Sequence, residues 1–430
     1  MVKILSVKYL LALTLLFVTG LKFCQLVAQE PLSSDTTSKF LLLQEDLDSV
    51  VSNAIRQKAF PGCVVYATRE GNVLFHKSYG FHTYDSLILV KRNDIYDLAS
   101  LTKILASTLA IMKLYDQGLI HLEDPIGKHI NIMGKIRKKT FRELLAHQAG
   151  IESWIPFHSV IRRKNGKFRT RDLAYLEDSK HSYKINDTLF LSNNFYERRI
   201  KKLIGRSKID QVPTYKYSGL FFYLVPEIVA NLTGQNFEEY LSDSFYYPLG
   251  LETMGFNPLS RFDLSRIPPT EQDTFFRNKL IHGTVHDEGA ILMQGVSGNA
   301  GLFGNAKDVG RLMEFFMSSS EPDSLEIISA ATKALFSTTQ FPNSGNRRAL
   351  GFDKPLLVYD PVKSSVARSA SASSFGHTGY TGAVTWTDPK YNFVFVFLCN
   401  RVYPTRKNKK IYELNLRPQV HQLFYDYFSD

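Results

Sequence analysis

The stretch GAVTWTDPKYNFVFVFL, residues 382–398, decides the fold class. Two apolar runs rich in β-branched and aromatic residues flank the polar turn Asp388-Pro389-Lys390, which is the pattern of a β-hairpin. Apolar residues at helical spacing follow at 416–428 and predict a terminal helix.

The amino-terminal part of the chain shows the same elements in reverse order. A helical pattern at 40–59 precedes strand-like runs at 62–67 and 73–76, which flank the turn Arg69-Glu70-Gly71-Asn72. We therefore expect an α/β (α+β) fold in which both chain ends form one antiparallel sheet flanked by helices.

The domain predicted from this pattern covers residues 38–430. Its α/β layer takes in about 38–99 and 345–430, and a large, mostly helical region of about 100–344 is inserted between them. A basic insertion is expected at about 152–212. The clearest helical patterns in the inserted region lie at 101–118, 141–146, 220–232, 237–241 and 306–317.

Residues 1–28 are predicted to be a secretory signal, followed by a linker at 29–37. A basic start precedes an apolar run that is shorter than the roughly 20 residues needed to span a bilayer. The small residue Ala28 suits a cleavage site. The alternatives are a lipoprotein modified at Cys24, whose preceding residues are larger than expected, or an uncleaved membrane anchor.

Two cysteines, Cys63 and Cys399, remain in the mature chain. Two thiols make neither a disulfide framework nor a metal cluster of the usual spacing. Both lie in strand-like apolar runs, so they are interpreted as small buried residues, and a single disulfide between them stays open.

The first candidate for chemistry is Ser100-Leu101-Thr102-Lys103, where an apolar helix begins. A lysine three residues after a serine lies one turn away on the same helix face. If it is desolvated, its amine can lose a proton and serve as a base toward the hydroxyl. The spacing by itself is a weak signal, because serine is also a common helix cap.

Two further motifs carry candidate residues. Tyr217, in Tyr215-Lys216-Tyr217-Ser218-Gly219, precedes a predicted helix and can point its phenol into a cleft as an acid or base. His377, Thr378, Gly379 and Tyr380 lead into the carboxyl-terminal hairpin. The N–H of Tyr380, with that of Ser100, is suited to form an oxyanion hole, and a glycine-rich edge strand is the alternative.

In this order, the three motifs resemble those of the penicillin-recognising serine hydrolases, in the branch that holds class C beta-lactamases, esterases, DD-peptidases and peptidoglycan amidases. The resemblance covers about 47–428, and residues 151–212 match poorly. Segments around 267–271, 282–287 and 298–303 resemble a subgroup tied to cell-wall turnover, which includes a penicillin-binding protein and muropeptide amidases.

The resemblance implies roles for these residues. Ser100 would be the acylated nucleophile, Lys103 its activator and Tyr217 the second acid/base. His377 would take the position that is Lys in most beta-lactamases, which disfavours efficient beta-lactam hydrolysis. Gly219 stands where the family has Asn or Asp, a side chain that orients the lysine and the substrate carbonyl, so rate and specificity are in question.

No cofactor or metal is expected. His282 and His286 lack the Glu of a His-Glu-x-x-His helix, and the residues between them are poor helix formers. Hydrogen bonding within a loop, or a place in the cleft wall, is the preferred interpretation of this pair.

The predicted function is an exported, periplasmic serine hydrolase that acts on muropeptides as an amidase or DD-peptidase, as a monomer. The alternatives are a carboxylesterase with the same machinery and a non-catalytic cell-wall-binding relative, for which Gly219 is the support. A Gly-x-Ser-x-Gly elbow and a P-loop are missing from the sequence.

The composition, 44% hydrophobic and 22% charged residues, excludes wholesale disorder, and the formal net charge is +11. Apart from the predicted signal, the basic excess lies between Arg162 and Lys208, so it does not indicate nucleic-acid binding. A solvated insertion is one interpretation. The other is that this segment flanks the cleft and attracts anionic cell-wall fragments.

Overall fold

The computed structural model describes residues 34–318 and 327–429. The chain divides at Gln44 into two units, and the main sheet lies in the second, Glu45–Asp430. In the first unit, the described residues form the opening turns of helix α1, Ser34–Arg56. The predicted signal therefore lies outside the described residues, and α1 begins within the predicted linker.

The strands and helices have the following bounds. The strands are β1 (Gly62–Arg69), β2 (Asn72–Gly80), β3 (Tyr96–Asp97), β4 (Leu173–Ala174), β5 (Tyr183–Asn186), β6 (Leu189–Leu191), β7 (Glu271–Gln272), β8 (Leu280–Ile281), β9 (Phe303–Gly304), β10 (Phe375–Thr378), β11 (Val384–Asp388) and β12 (Phe393–Cys399). After α1, the α-helices are α2 (Leu109–Asp116), α3 (Phe141–Leu145), α4 (Phe157–Val160), α5 (Lys202–Gly205), α6 (Val225–Thr233), α7 (Phe237–Leu241), α8 (Glu288–Ile291), α9 (Ala306–Met317), α10 (Ala330–Ser337), α11 (Lys410–Glu413) and α12 (Leu416–Ser429).

The main sheet joins the two ends of the chain. Its order is β10-β11-β12-β1-β2, all antiparallel, and the pairing of β1 with β12 connects the amino-terminal hairpin to the carboxyl-terminal one. The prediction of one antiparallel sheet built from both ends is confirmed. Cys63 and Cys399 face each other in the β1–β12 register as buried free thiols.

Helices cover both faces of this sheet, which explains why β12 is apolar at every position. On one face Gly310 of α9 packs so closely on β1 that an added Cβ would collide with the Tyr66 ring. On the other face α12 packs Phe424 against Phe75 and Phe393, with ring centroids 6.0 and 5.6 Å apart.

The inserted region contains the predicted helices. α7 and α9 have the predicted bounds, and α3 ends one residue earlier than predicted. The predicted helix at 101–118 is not uniform. It starts as a 3-10 turn (Ala99–Leu101), continues as a π-helix (Lys103–Thr108) and ends as α2.

The basic insertion departs from the helical expectation. It forms a three-stranded sheet in the order β4-β6-β5, followed by a π-helical and α-helical segment that ends with α5. Part of the positive charge of the insertion is neutralised, because the buried Asp172 carboxylate forms ion pairs with both Arg198 and Arg199 at 2.7 Å. Within the described residues, no helix is long and apolar enough to cross a membrane.

Candidate active site

A tight turn presents Ser100 after β3. Ala99 has a φ of +46°, a left-handed conformation that is strained for a residue with a Cβ. The buried Asp97 holds this turn, since its Oδ1 accepts from the Ala99 N–H at 2.8 Å and its Oδ2 accepts from the His286 N–H at 2.7 Å. Burial raises the pKa of Asp97 despite these hydrogen bonds. The turn therefore fixes the position of the serine before the helix begins.

Lys103 reaches back to this serine, as the spacing predicts. Its Nζ lies 2.9 Å from Ser100 Oγ and 2.9 Å from the backbone carbonyl oxygen of Asn299. The side chain is buried, so water competes little for its amine. A buried amine in contact with a serine hydroxyl is arranged to exchange a proton with it.

Gly219 leaves open space beside this lysine. A Cβ added there would have a single neighbour within 4 Å, Lys103 Cε at 3.8 Å. The Asn or Asp expected from the family at this position would therefore point toward Lys103. In its absence the lysine is oriented by Asn299, whose side chain is held by Ser297 Oγ at 2.7 Å and Tyr223 at 3.1 Å. The sequence did not reveal this contact, because it is made by a backbone atom.

Tyr217 also lies near the lysine. Its ring centroid lies 5.7 Å from Lys103 Nζ and 4.6 Å from the His147 ring. His147 fixes the loop, since its backbone carbonyl accepts from the Lys216 N–H at 2.9 Å and its Nδ1 accepts from the Ser218 N–H at 3.2 Å. Burial, followed by Arg348, lowers the pKa of His147 well below its usual value, so the imidazole is neutral.

His377 lies beside Tyr217 but is buried. Their ring centroids are 5.9 Å apart, and His377 Nδ1 donates to the Thr378 carbonyl at 2.8 Å. Burial, followed by the charges of Arg348 and Lys103, lowers the pKa of His377 to about 3. At neutral pH this imidazole carries no charge, so it does not reproduce the positive charge of the lysine that most beta-lactamases have there.

Arg348 supplies a positive charge beside Tyr217, a role that the sequence does not indicate. Its guanidinium carbon lies 5.2 Å from the Tyr217 ring centroid, and the side chain is buried. Asp353 offsets this charge only in part, because two arginines share its carboxylate. Asp353 Oδ1 lies 2.8 Å from Arg347 Nε and 3.3 Å from Arg348 Nε. Arg348 stands in a stretch without hydrophobic periodicity, which is why no pattern singled it out.

The carboxyl-terminal motif packs against the serine turn through Gly379. A Cβ at this position would lie 2.9 Å from the Leu98 carbonyl oxygen, closer than real Cβ atoms come. The close approach brings Thr378 and Tyr380 beside the turn that carries Ser100. The Tyr380 ring is exposed and stacks on the His286 ring at 5.8 Å.

These elements surround a cavity of about 460 Å³, within the range of small-molecule sites. Ser100, Lys103, Tyr217, Gly219 and Tyr380 line it, whereas His377 is buried beside Tyr217. The cavity thus combines a hydroxyl, a buried amine and a phenol.

The basic insertion contributes Ser153 and Trp154 to the cavity wall. Among the residues that the structure describes, none of the Lys or Arg side chains of this insertion lines the cavity. Any attraction of anionic fragments by this segment therefore acts over a longer range, and it stays a prediction.

His282 and His286 have separate partners. His282 Nε2 lies 2.5 Å from the Ile267 carbonyl, and His286 Nε2 lies 2.7 Å from Glu271. Within the described parts of the chain, no group of three or more His, Cys, Asp or Glu side chains is arranged to hold a metal ion. The geometry agrees with the interpretation of this pair as loop and cleft residues.

The model of the beta-lactamase family matches residues 47–417. The chain belongs to the beta-lactamase family. The match covers the sheet, the inserted region and every residue of the cavity, and the resemblance predicted from the motifs is confirmed.

Two relatives and one solved structure that are similar to this beta-lactamase-family chain carry the names of hydrolases. A provisionally named D-alanyl-D-alanine carboxypeptidase of Escherichia coli O157:H7 is 28% identical over 84% of this chain and 83% of its own length. An N-acetylmuramyl-L-alanine amidase of Bacillus subtilis (strain 168) is 26% identical over 82% and 81%. The fold matches that of EstCE1, a hydrolase with promiscuous acyltransferase activity, with a TM-score of 0.63 at 20% identity over 89% of this chain and 99% of that one. The chain is therefore a serine hydrolase of this family.

Proposed function

We propose that the protein is an exported hydrolase that forms an acyl-serine intermediate and cleaves an amide bond in peptidoglycan-derived muropeptides. The observation that carries the proposal is the 2.9 Å contact between Lys103 Nζ and Ser100 Oγ inside a cavity that also contains Tyr217. The similarity to a muramyl-alanine amidase and to a provisionally named carboxypeptidase supports peptidoglycan as the source of the substrate.

In the proposed reaction, Ser100 Oγ attacks the amide carbonyl while Lys103 takes the hydroxyl proton. The N–H groups of Ser100 and Tyr380 stabilise the tetrahedral oxyanion. The C–N bond then breaks, and the leaving amine takes a proton from the Lys103–Tyr217 pair. Water hydrolyses the Ser100 ester in the second half of the reaction, and the same two groups accept and return its proton.

Two amide bonds are candidates. One joins the lactyl group of muramic acid to L-Ala, and the other is the D-Ala-D-Ala bond. Both bonds occur in peptidoglycan, which lies outside the cytoplasm, so the proposal includes export, for which the basic and apolar start of the sequence is the support. A periplasmic location, with a lipoprotein or a membrane-anchored protein as the alternative, belongs to the same proposal.

The decisive experiment is digestion of purified muropeptides, with the products identified by mass. The wild type should release either a free peptide or D-Ala, which identifies the bond, and Ser100→Ala should release neither. If wild type and Ser100→Ala leave the muropeptides equally untouched, the peptidoglycan assignment is wrong.

Two other functions give different results in the same assays. A carboxylesterase would hydrolyse short-chain esters, dependent on Ser100, without any effect on muropeptides. A non-catalytic binder would show no Ser100-dependent labelling by a serine-reactive probe. Gly219 favoured that last function, and the contact of Lys103 with Asn299 weakens it, because the lysine is oriented without the missing side chain.

A further inference from the structure

A row of aromatic side chains begins at the cavity with Trp154 and continues outside it. Trp154 lines the cavity and is 56% exposed. Its ring lies 6.0 Å from the His158 ring, which lies 5.4 Å from the ring of Phe275, itself 45% exposed. These three residues, Trp154, His158 and Phe275, are called the aromatic wall below. His158 is half-buried, and neither it nor Phe275 lines the cavity, so these rings continue the apolar surface outward from Trp154. An apolar surface that extends from a cavity indicates a binding surface, because single exposed apolar residues are common but adjoining ones are not.

The aromatic wall is held in place at both ends. At the Trp154 end, Ser218 Oγ donates to the Glu152 carbonyl at 2.6 Å and the Gly219 N–H donates to the Ser153 carbonyl at 3.2 Å. These bonds tie the segment before Trp154 to the loop that carries Tyr217. At the other end, the Arg406 guanidinium lies 4.7 Å from the Phe275 ring centroid. The backbone leading into Trp154 and the Phe275 ring are therefore held in place before a ligand binds, which reduces the entropy cost of binding.

A hydroxyl, two carboxylates and a guanidinium group share the cavity with Trp154. They are Ser153, Asp287, Glu288 and Arg406. The Arg406 guanidinium donates to the Glu288 carboxylate at 2.7 Å and also to the Glu271 carboxylate. The Arg406 guanidinium and the Glu288 carboxylate are therefore both held in fixed positions. A sugar ring offers an apolar C–H face to an aromatic ring, and hydroxyl groups around its edge to carboxylates and guanidinium groups. An aromatic face bordered by fixed planar polar groups is complementary to that chemistry.

We infer that the aromatic wall binds the sugar of a muropeptide and presents the lactyl carbonyl of its muramic acid to Ser100. The reaction part of this inference rests on the proposed function, whereas sugar binding can be tested without catalysis. The muramic acid sugar is one lactyl group away from the carbonyl of the lactyl–L-Ala amide. In a D-Ala-D-Ala substrate the sugar is separated from the reacting carbonyl by the peptide stem, so a sugar site adjoining Ser100 favours the amidase reaction.

Intrinsic fluorescence provides a direct test, because the chain has two tryptophans, the exposed Trp154 and the buried Trp386. The Ser100→Ala variant, which cannot turn over substrate, is titrated with N-acetylmuramyl-L-alanyl-D-isoglutamine. N-acetyl-L-alanyl-D-isoglutamine, the same dipeptide without the sugar, is the comparison ligand. The sugar-bearing ligand should shift the Trp154 emission to shorter wavelengths and saturate, and the sugar-free ligand should bind at least about tenfold more weakly.

Variants separate the aromatic wall from the rest of the cavity. In calorimetry, adding Trp154→Ala or Phe275→Ala to the Ser100→Ala protein should weaken sugar-ligand binding about tenfold. Trp154→Phe should restore most of it while abolishing the fluorescence shift. Tyr247→Ala is the matched control, since Tyr247 is 86% exposed and outside the cavity.

Equal affinity for the two ligands, or an unchanged affinity in Trp154→Ala, would overturn the inference even if the wild type cleaves muropeptides. Sugar-selective binding that depends on Trp154, in a wild type that cleaves nothing, would support the aromatic wall and contradict the proposed function. The two proposals therefore fail in different ways.

Discussion

Lys103 Nζ lies 2.9 Å from the carbonyl oxygen of Asn299, the same distance that separates it from Ser100 Oγ. A backbone carbonyl thus orients the lysine in place of the Asn or Asp side chain that the family usually has at Gly219. The carbonyl is positioned by the segment that leads into β9, and β9 pairs with β3 directly before the serine turn. The orientation of the lysine and the position of the serine therefore depend on the same two segments.

The first prediction concerns the proton transfer by this lysine. Lys103→Met keeps most of the volume of the side chain and removes its amine, so acylation of Ser100 should slow by about 10²- to 10⁴-fold. The measurement is the rate of labelling by a serine-reactive probe, with kcat for muropeptides or short-chain esters beside it. Lys128→Met, on a largely exposed lysine paired with Asp124, should leave both rates unchanged. A wild-type acylation rate in Lys103→Met would exclude the lysine as the activating group.

A matched pair of glycine substitutions tests the second prediction. At Gly219 an added Cβ would make one ordinary contact, with Lys103 Cε at 3.8 Å, whereas at Gly379 it would lie 2.9 Å from the Leu98 carbonyl oxygen. Gly219→Ala should therefore change the free energy of unfolding by no more than about 0.5 kcal/mol and keep the acylation rate. Gly379→Ala should push the Thr378–Tyr380 segment away from Ser100 and lower kcat about 10- to 100-fold.

The two glycine substitutions, Gly219→Ala and Gly379→Ala, also test how Lys103 is oriented. Thermal unfolding and kinetics are measured on both variants in parallel. If Gly219→Ala is the more damaging substitution, the space beside Lys103 has a role in catalysis, and the orientation by Asn299 is insufficient. If Gly379→Ala leaves kcat unchanged, the oxyanion assignment to the N–H of Tyr380 is wrong.

Local patterns were enough to predict the sheet and the Ser100–Lys103 contact. The apolar runs on either side of Asp388-Pro389-Lys390 became β11 and β12, because a strand covered by helices on both faces needs apolar residues at every position. A spacing of three residues was sufficient for Lys103 to reach Ser100, even though the helix winds as a 3-10 turn and a π-helix rather than as a regular α-helix.

The parts of the site that depend on tertiary contacts were not predicted. The Asn299 carbonyl has no side-chain signal, and Arg348 is one of 52 basic residues in a stretch without periodicity. His377 was identified by its motif, but its burial and its neutral state depend on neighbours that are distant in sequence. The strands β4 to β6 have two to four residues each, too few for a periodicity to be recognised.

The third prediction concerns stability in acid. His421 is buried, its ring stacks on Phe395 at 4.6 Å, and its Nδ1 accepts from the Ala367 N–H at 3.2 Å. Burial lowers its pKa to about 3. In the unfolded chain histidine binds a proton below about pH 6.5. Between about pH 6.5 and 3 the unfolded state therefore holds the extra proton, and stability falls as the pH falls.

His421→Asn keeps an acceptor near the position of Nδ1 but does not titrate. Urea unfolding at a series of pH values should show a slope between pH 6 and 4 that is smaller by about 1.4 kcal/mol per pH unit, because one proton fewer is taken up on unfolding. At pH 7 the variant should be less stable by about 1–3 kcal/mol, since ring packing is lost. The exposed His121 provides the control, and His121→Asn should leave the slope as it is. A slope unchanged by His421→Asn would mean that this imidazole does not drive acid unfolding.

The fourth prediction concerns the charge beside Tyr217. A unit positive charge about 5 Å away stabilises a developing negative charge by about 3 kcal/mol at an effective dielectric constant of about 20. Arg348 should stabilise the charge that forms on the phenol oxygen while Tyr217 has given up its proton. Arg348→Met should therefore lower kcat about 10- to 100-fold, and Arg348→Lys should retain more activity because it keeps the charge.

Two measurements separate this electrostatic effect from damage to the fold. Burial and then Arg348 hold the pKa of His377 at about 3, so Arg348→Met should raise that pKa, as followed by NMR of labelled histidine, and Arg348→Lys should raise it less. The double variant Arg348→Met/His377→Lys returns a positive charge to the neighbouring position, where most beta-lactamases have their lysine, and should recover part of the lost kcat. If Arg348→Met loses activity with no change in the pKa of His377 and no recovery by His377→Lys, Arg348 acts through packing. The charge beside Tyr217 would then have no part in the reaction.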